Sequence, residues 1–217
     1  MKAFFKYLSF ICILFIPACN SMSEAKLSVD KELLEVPVKG GLQTITVKAN
    51  GPWQAVTTPQ PFFTVSPTSG EGDGTLTVNV SANPEARPME GTVAITCMAP
   101  GSSMTKNIKI RQEAAAPRAE IKDWNPGEIP ATGGNVTNLM VTNMQWSAVC
   151  DADDVTVSFV TKGADVGKAG NFQVEIKVPA NPQPAGRSIH LSICNTLVLV
   201  NGAPEPVAVY EIRQAGQ

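Results

Sequence analysis

The sequence predicts an all-β chain, two tandem immunoglobulin-like antiparallel β-sandwiches that follow a cleaved lipoprotein signal peptide. Three observations predict it. Short runs of alternating apolar and polar residues recur, such as Leu76, Val78 and Val80 against Thr75, Thr77 and Asn79, and no stretch sustains a helical period. Glycine and proline number 17 each, as turns between many short strands require. The landmarks also come twice: Gly133-Gly134 and Trp146 repeat Gly40-Gly41 and Trp53 at one offset (133 − 40 = 93 and 146 − 53 = 93).

Residues 1–18 read as an export signal. Lys2 and Lys6 precede an apolar run from Tyr7 to Ile16 that is too short to span a bilayer. Ile16-Pro17-Ala18-Cys19 resembles a bacterial lipobox, in which the cysteine is acylated and becomes the new N-terminus; Pro17 is less usual there. Several acyl chains, at roughly 0.8 kcal/mol per buried CH₂, make a stable anchor. Residues 19–26 then form a lipidated tether.

The first sandwich is expected over residues 27–112. Leu27 to Val29 and Leu33 to Val38 suit sheet edges, since Pro37 offers no backbone donor. After Gly41, Ile45, Val47 and Ala49 share one face, and Trp53 and Ala55 share one face of the next strand. Phe63 and Val65 form an inward pair. A loop rich in glycine precedes the strand of Leu76, and Asn83-Pro84 ends it. Val93, Ile95 and Cys97, then Ile108 and Ile110, complete about seven strands. Because neither face of these strands is apolar throughout, antiparallel pairing is expected.

Residues 113–118 read as a semi-rigid linker, and residues 119–217 as the second copy. Asn83-Pro84 returns as Asn181-Pro182, Arg87 as Arg187, and Ile110-Arg111-Gln112 as Ile212-Arg213-Gln214. The offset grows from 93 to 102 (212 − 110 = 102), which places insertions in the loops of the second copy. Asn138 stands where the first copy has Ile45, so a bulge or register change is expected in that strand.

Composition excludes some classes. A formal charge of −2 gives no basic field for nucleic acid. Asp151, Asp153 and Asp154 form an acidic cluster of the oxygen type calcium favours, but their spacing fits no EF-hand loop, and a solvated loop is the alternative. His190 is the only histidine and alternates away from Ile189 and Leu191, so it is expected at the surface. No cofactor and no catalytic residue is expected. Cys97 reads as a small buried hydrophobe, Cys150 as inward and Cys194 as outward, which argues against a bridge between the last two. Trp53 and Trp146 recur in one register and read as core, with sugar stacking as the alternative. Trp124 and Phe62 are left over and stand as the exposed ligand-contact candidates.

The ordered landmarks resemble the BACON domain, the Bacteroidetes-associated carbohydrate-binding often N-terminal module. They are Gly40-Gly41, the strand Thr44 to Val47, Trp53, Val65-Ser66-Pro67-Thr68-Ser69-Gly70, Gly74, Asn83, Arg87, Gly91-Thr92 and Ile110-Arg111-Gln112. The likeness covers Leu27 to Gln112 well and Glu120 to Gln214 more loosely, where Ser158 to Gly163 replaces the Ser-Pro-Thr-Ser-Gly segment. The resemblance implies two tandem copies of a β-sandwich on an outer-membrane lipoprotein of a Bacteroidetes cell, facing periplasm or exterior. It also implies a link to glycan or mucin, or to outer-membrane proteins that handle glycans. It transfers no binding residue. In many relatives the module is a spacer between membrane and enzyme, whereas here the last motif lies three residues before Gln217. A non-enzymatic binding module is therefore expected, with membrane contact through the lipid alone. The alternative is a structural or adhesion subunit that joins neighbours through an exposed strand edge.

Overall fold

The computed structural model describes residues 23–58, 62–160 and 166–217. The leader, Cys19 and the Thr161-Lys162-Gly163 segment lie outside these residues. Every regular element described is a β-strand. The first half contains β1 (Leu27–Val29), β2 (Leu33–Val36), β3 (Gly41–Ala49), β4 (Pro52–Thr57), β5 (Phe63–Ser66), β6 (Ser69–Glu71), β7 (Gly74–Val80), β8 (Met89–Ala99) and β9 (Ser102–Gln112). They form two sheets, ordered β1-β3-β7-β5 and β2-β9-β8-β4-β6. The second half contains β10 (Ala119–Ile121), β11 (Glu128–Ile129), β12 (Gly134–Thr142), β13 (Trp146–Cys150), β14 (Thr156–Val160), β15 (Gly170–Val178), β16 (Arg187–Val200) and β17 (Ala203–Gln214). Its sheets run β10-β12-β15-β14 and β11-β17-β16-β13, the same order without a β6 equivalent among the described residues.

Each sandwich buries its own core. Ile45, Leu76, Val78, Val93, Ile95 and Ile108 fill the first; Met140, Phe172, Ile176, Ile189, Leu191 and Ile212 fill the second. Pairing is antiparallel except at two edges, where β2 runs parallel to β9 and β11 parallel to β17. The expectation of wholly antiparallel sheets is corrected there. The chain continues from β1 to β2 in one direction while crossing between sheets, so the strand that is antiparallel to β3 becomes parallel to β9.

Both tryptophans are core. Trp53 and Trp146 are 2% and 4% exposed, and their indole N–H groups donate to the carbonyls of Gly72 (3.0 Å) and Lys168 (2.9 Å). A Cβ at Gly70 would lie 2.4 Å from the Trp53 ring, so glycine there is what admits the indole.

Three register readings are corrected. The pairing of β12 with β15 runs unbroken from Gly134↔Val178 to Thr142↔Gly170, so no bulge sits at Asn138. Asn138 instead stands in the inward row of β12, and its Nδ2 donates to the carbonyls of Lys122 (2.9 Å) and Asp123 (3.4 Å). A polar residue is tolerated because backbone acceptors come to it. Cys194 is buried, not outward. The β16–β17 ladder slips between Ile193 and Cys194, and Ile193, Cys194 and Asn195 are all buried in succession. One extra residue on β17, Val207, breaks the alternation there. Burial raises the Cys194 thiol pKa.

Arg187 does not correspond to Arg87. Arg187 pairs with Gln214, as Met89 pairs with Gln112, so the offset here is 98 (187 − 89 = 98), as at Asn83 and Asn181. Growth from 98 to 102 is confined to the last hairpin. Three unpaired residues, Thr196 to Val198, lie between the pairs Asn195↔Glu205 and Leu199↔Pro204, and Val207 is the fourth.

The two sandwiches meet at Asn143. Its Nδ2 donates to the carbonyls of Pro84 (3.1 Å) and Ala116 (3.0 Å), and its Oδ1 accepts from Arg118 N (2.7 Å). Its backbone carbonyl accepts from Ala86 N at 2.8 Å. Ala86, from the first sandwich, packs against the core of the second. One amide thus ties together a turn of the first sandwich, the linker and the start of the second.

Trp53→Ala and Trp146→Ala are each expected to destabilise the chain by ~3–5 kcal/mol, a large share of the ~5–15 kcal/mol of a small domain. Chemical denaturation measures this, with iodide quenching of the intact indoles as the companion test. Unchanged denaturation midpoints with readily quenched indoles would place both rings outside the core.

Candidate functional site

The residues singled out from the sequence do not assemble into one site. Phe62 is 7% exposed and belongs to the first core, its ring 5.0 Å from that of Phe63 in edge contact. A Cβ on Gly91 would lie 2.4 Å from Phe63 and 3.4 Å from Phe62, so both rings fill the space above that glycine. The expectation of an exposed Phe62 is therefore corrected. Alternation assigns only one of two adjacent residues inward, but Phe62 precedes β5, where the chain has not yet taken up the pleat. Trp124 is half-buried, packed on the second core and edge-on to Tyr210 at 5.1 Å and 61°.

The acidic cluster is divided among partners. Asp151 accepts from His190 N (2.7 Å) and lies 2.8 Å from His190 Nδ1. Asp154 takes a bidentate pair from Arg187 at 3.0 and 2.8 Å. Asp153 is exposed. The His190 backbone N–H lowers the Asp151 carboxyl pKa, and the Arg187 hydrogen bonds lower that of Asp154. Among the described residues no group of three His, Cys, Asp or Glu side chains is placed to hold a metal, and no helix is long and apolar enough to cross a membrane.

Phe62 and Asp154 prove to be the same position in the two repeats. Val80 and Val178 are equivalent, each opposite the glycine that opens β3 or β12. Phe63 pairs with Val80, and extending the β14–β15 register by one residue sets Val155 against Val178. Repeat one thus closes this end with Phe62 and Met89, and repeat two with Asp154 and Arg187. The exchange reaches the buried glutamines. Gln214 Oε1 accepts from Arg187 Nε at 2.8 Å, whereas Gln112 Oε1 is buried without a partner.

One concave site lies between the sandwiches and was not foreseen. It has a volume of 380 Å³ and is lined by Glu85 and Arg87 from the first sandwich, and by Met144, Gln145, Lys168 and Leu197 from the second. The turn that carries Glu85 and Arg87 is organised by Asn83, which is 2% exposed. Asn83 Oδ1 accepts from Glu85 N (2.9 Å), and its Nδ2 donates to the carbonyls of Arg87 (2.8 Å) and Glu113 (2.9 Å). Glu85 and Arg87 then pair through Arg87 Nε and Glu85 Oε2 at 2.5 Å. Leu197 comes from the three-residue bulge, whose backbone is pinned by Thr196 N to Gln145 O (3.1 Å) and Leu197 N to Asn195 Oδ1 (3.0 Å). The sequence signal for this wall was the growth in offset between the repeats.

A double-mutant cycle tests the exchanged pair. Phe62→Asp is expected to cost at least ~3 kcal/mol, the low end for removing a buried phenylalanine. Adding Met89→Arg should recover ~0.5–3 kcal/mol as coupling. Because a carboxyl paired in this way has a lowered pKa in the folded state, the gain should be present above the ordinary carboxylate range. It should be lost as pH falls through the folded pKa. Additive costs at neutral pH would show that the two positions are not partners.

Residues 26–114 match the family described as the viral BACON domain. No curated protein matches the chain. Among solved structures, a Bacteroides ovatus GH5 xyloglucanase in complex with a XXXG heptasaccharide is 23% identical with a TM-score of 0.37; the match covers 49% of this chain and 22% of that one. The periplasmic chaperone SfaE is 12% identical over 88% of this chain and 100% of its own, with a TM-score of 0.37. Titin Ig tandem domains A164-A165 are 9% identical over 89% of this chain and 98% of theirs, with a TM-score of 0.33. The first sandwich of this chain is a BACON-like domain.

Proposed function

We propose that this chain is a non-catalytic binding module of the cell envelope, held to the outer membrane by a lipid on Cys19, that recognises glycan or mucin or an outer-membrane protein handling them. The observation that carries the reading is the BACON-like first sandwich, whose family is named for carbohydrate binding. The second sandwich, which repeats its strand order, is read as a divergent second copy. The large aromatics Trp53, Trp146 and Phe62 serve the cores, and the polar groups of the junction remain for ligand contact. Two of the charged residues that line it, Glu85 and Arg87, sit on a backbone fixed by Asn83, and Lys168 is a third.

A second reading, assembly through protein contacts, is favoured by Leu197, Val198, Leu199 and Val200, four consecutive aliphatic residues exposed between 42% and 63%. Exposed apolar runs of this kind mark contact surfaces.

A glycan array probed with the soluble chain from Asn20 to Gln217 tests the first reading, with reproducible hits expected. An array without hits, together with concentration-dependent dimers in sedimentation velocity, would replace it with the second. For the anchor, Cys19→Ala is expected to move the protein from the membrane fraction to the soluble one after a high-salt wash. Continued membrane association of that variant would place the anchor elsewhere.

A further inference from the structure

We propose that the cleft between the sandwiches is a subsite for a neutral sugar residue, gripped through two adjacent hydroxyls by Glu85 and Arg87. This rests on the glycan reading above and assigns it a place. The first observation is the chemistry of the wall. A vicinal diol presents a donor and an acceptor side by side, and a carboxylate beside a guanidinium supplies one acceptor and one donor in matching order. Arg87 meets Glu85 through Nε, its side chain is 56% exposed, and the residue lines the cleft. Gln145 adds an amide, and Leu197 an apolar surface for the C–H face of a sugar ring. A cleft of 380 Å³ lies within the ~300–1,000 Å³ range of ligand sites.

The second observation comes from the repeat. Asn181 builds the same turn in the second sandwich, with Oδ1 accepting from Gln183 N (3.1 Å) and Nδ2 donating to the carbonyls of Ala185 (2.9 Å) and Ala215 (3.1 Å). The turn therefore needs no charge. Gln183 and Ala185 occupy the places of Glu85 and Arg87, and only the turn facing the other sandwich carries the ion pair. An exposed pair of this kind adds ~0–1 kcal/mol to stability, too little to account for its placement. The third observation is the wall opposite. The bulge from Thr196 to Val198, absent from the equivalent β8–β9 hairpin, is what brings Leu197 to the cleft.

The test uses the full soluble chain, Asn20 to Gln217, labelled with ¹⁵N. It is titrated with soluble gluco-, manno- and xylo-oligosaccharides, and in parallel with oligogalacturonides as the acidic comparison. Binding of a neutral oligosaccharide is expected to shift the amides of Glu85, Arg87, Gln145 and Leu197. Glu85→Gln and Arg87→Ala should each weaken it by about tenfold or more, the range for losing a hydrogen bond to a charged group, with unchanged melting temperatures. Deleting residues 196–198, which removes the bulge on β16 that carries Leu197, should abolish binding while leaving the fold intact by circular dichroism. Hits on the glycan array with no shifts at the cleft, or with affinity indifferent to both point variants, would overturn the subsite and leave the glycan reading standing. Preference for the acidic sugars would overturn the neutral assignment. Failure of every glycan on the array would overturn both.

Discussion

A buried carboxamide at the end of each last strand fixes where the two sheets of a sandwich meet. Gln112 is fully buried, and its Nε2 donates to the carbonyls of Ser81 (2.7 Å), Val38 (3.2 Å) and Pro37 (3.4 Å). Gln214 does the same with Pro179 (2.7 Å) and Pro130 (3.3 Å). An amide buried without partners costs several kcal/mol, so these carbonyls must converge on it. Pro37 and Val38 follow β2 in one sheet, and Ser81 follows β7 in the other, so the amide joins the sheets. The same convergence draws in the remaining landmarks. Gly40 N donates to Pro37 O at 2.9 Å and Asn83 N to Val38 O at 2.8 Å, while a Cβ at Gly40, whose φ is +71°, would meet Val80 O at 2.2 Å. The Gly-Gly turn, the Asn-Pro break and the Ile-Arg-Gln ending are distant in sequence but form one hydrogen-bonded knot. They recur together because none of them works alone.

This knot explains how much of the molecule was legible. Strand faces such as Ile45 and Val47, or Val93, Ile95 and Cys97, follow from alternation, which is local. The tryptophans were legible because their register repeats. Phe62, Cys194 and Arg187 were not, because each depends on pairing between strands. A residue just before a strand has no alternation to obey, so Phe62 could turn inward beside Phe63. A single added residue on β17 reverses the expectation at Cys194 on the opposite strand. The arginines at positions 87 and 187 look equivalent by spacing, yet the ladder sets Arg187 against Gln214. Asn138 shows the converse: a polar residue in an apolar row signalled something unusual, and the structure supplied backbone acceptors instead of a bulge.

The two copies solve one packing problem with different chemistry. Phe62 and Met89 close the first sandwich by apolar contact, and Asp154 and Arg187 close the second by a bidentate ion pair. The ionic version also satisfies the outer oxygen of its glutamine, which the apolar version leaves orphaned. Burial of hydrocarbon offsets an unsatisfied acceptor in one case, and hydrogen bonding offsets the loss of hydrocarbon in the other. An acidic cluster that looks like a cation site from sequence is thus partly a substitute for a phenylalanine ring.

The copies also diverge at the junction, where the knot leaves the chain unconstrained. The turn built by Asn83 and the turn built by Asn181 share their hydrogen bonds, so their exposed side chains are free to differ. Only the turn next to the second sandwich carries Glu85 and Arg87. Three added residues in β16 reach the same place from the other side, and Asn143 holds the turn, the linker and the second sandwich in one arrangement. Within each copy the buried aromatics and amides are committed to closing the sheets. The surface between the copies carries no such commitment. Loops there vary without disturbing either core, and their backbones are nevertheless fixed by Asn83 and Asn143. Fixed backbone beneath variable side chains is what a binding site needs to be selective without being soft.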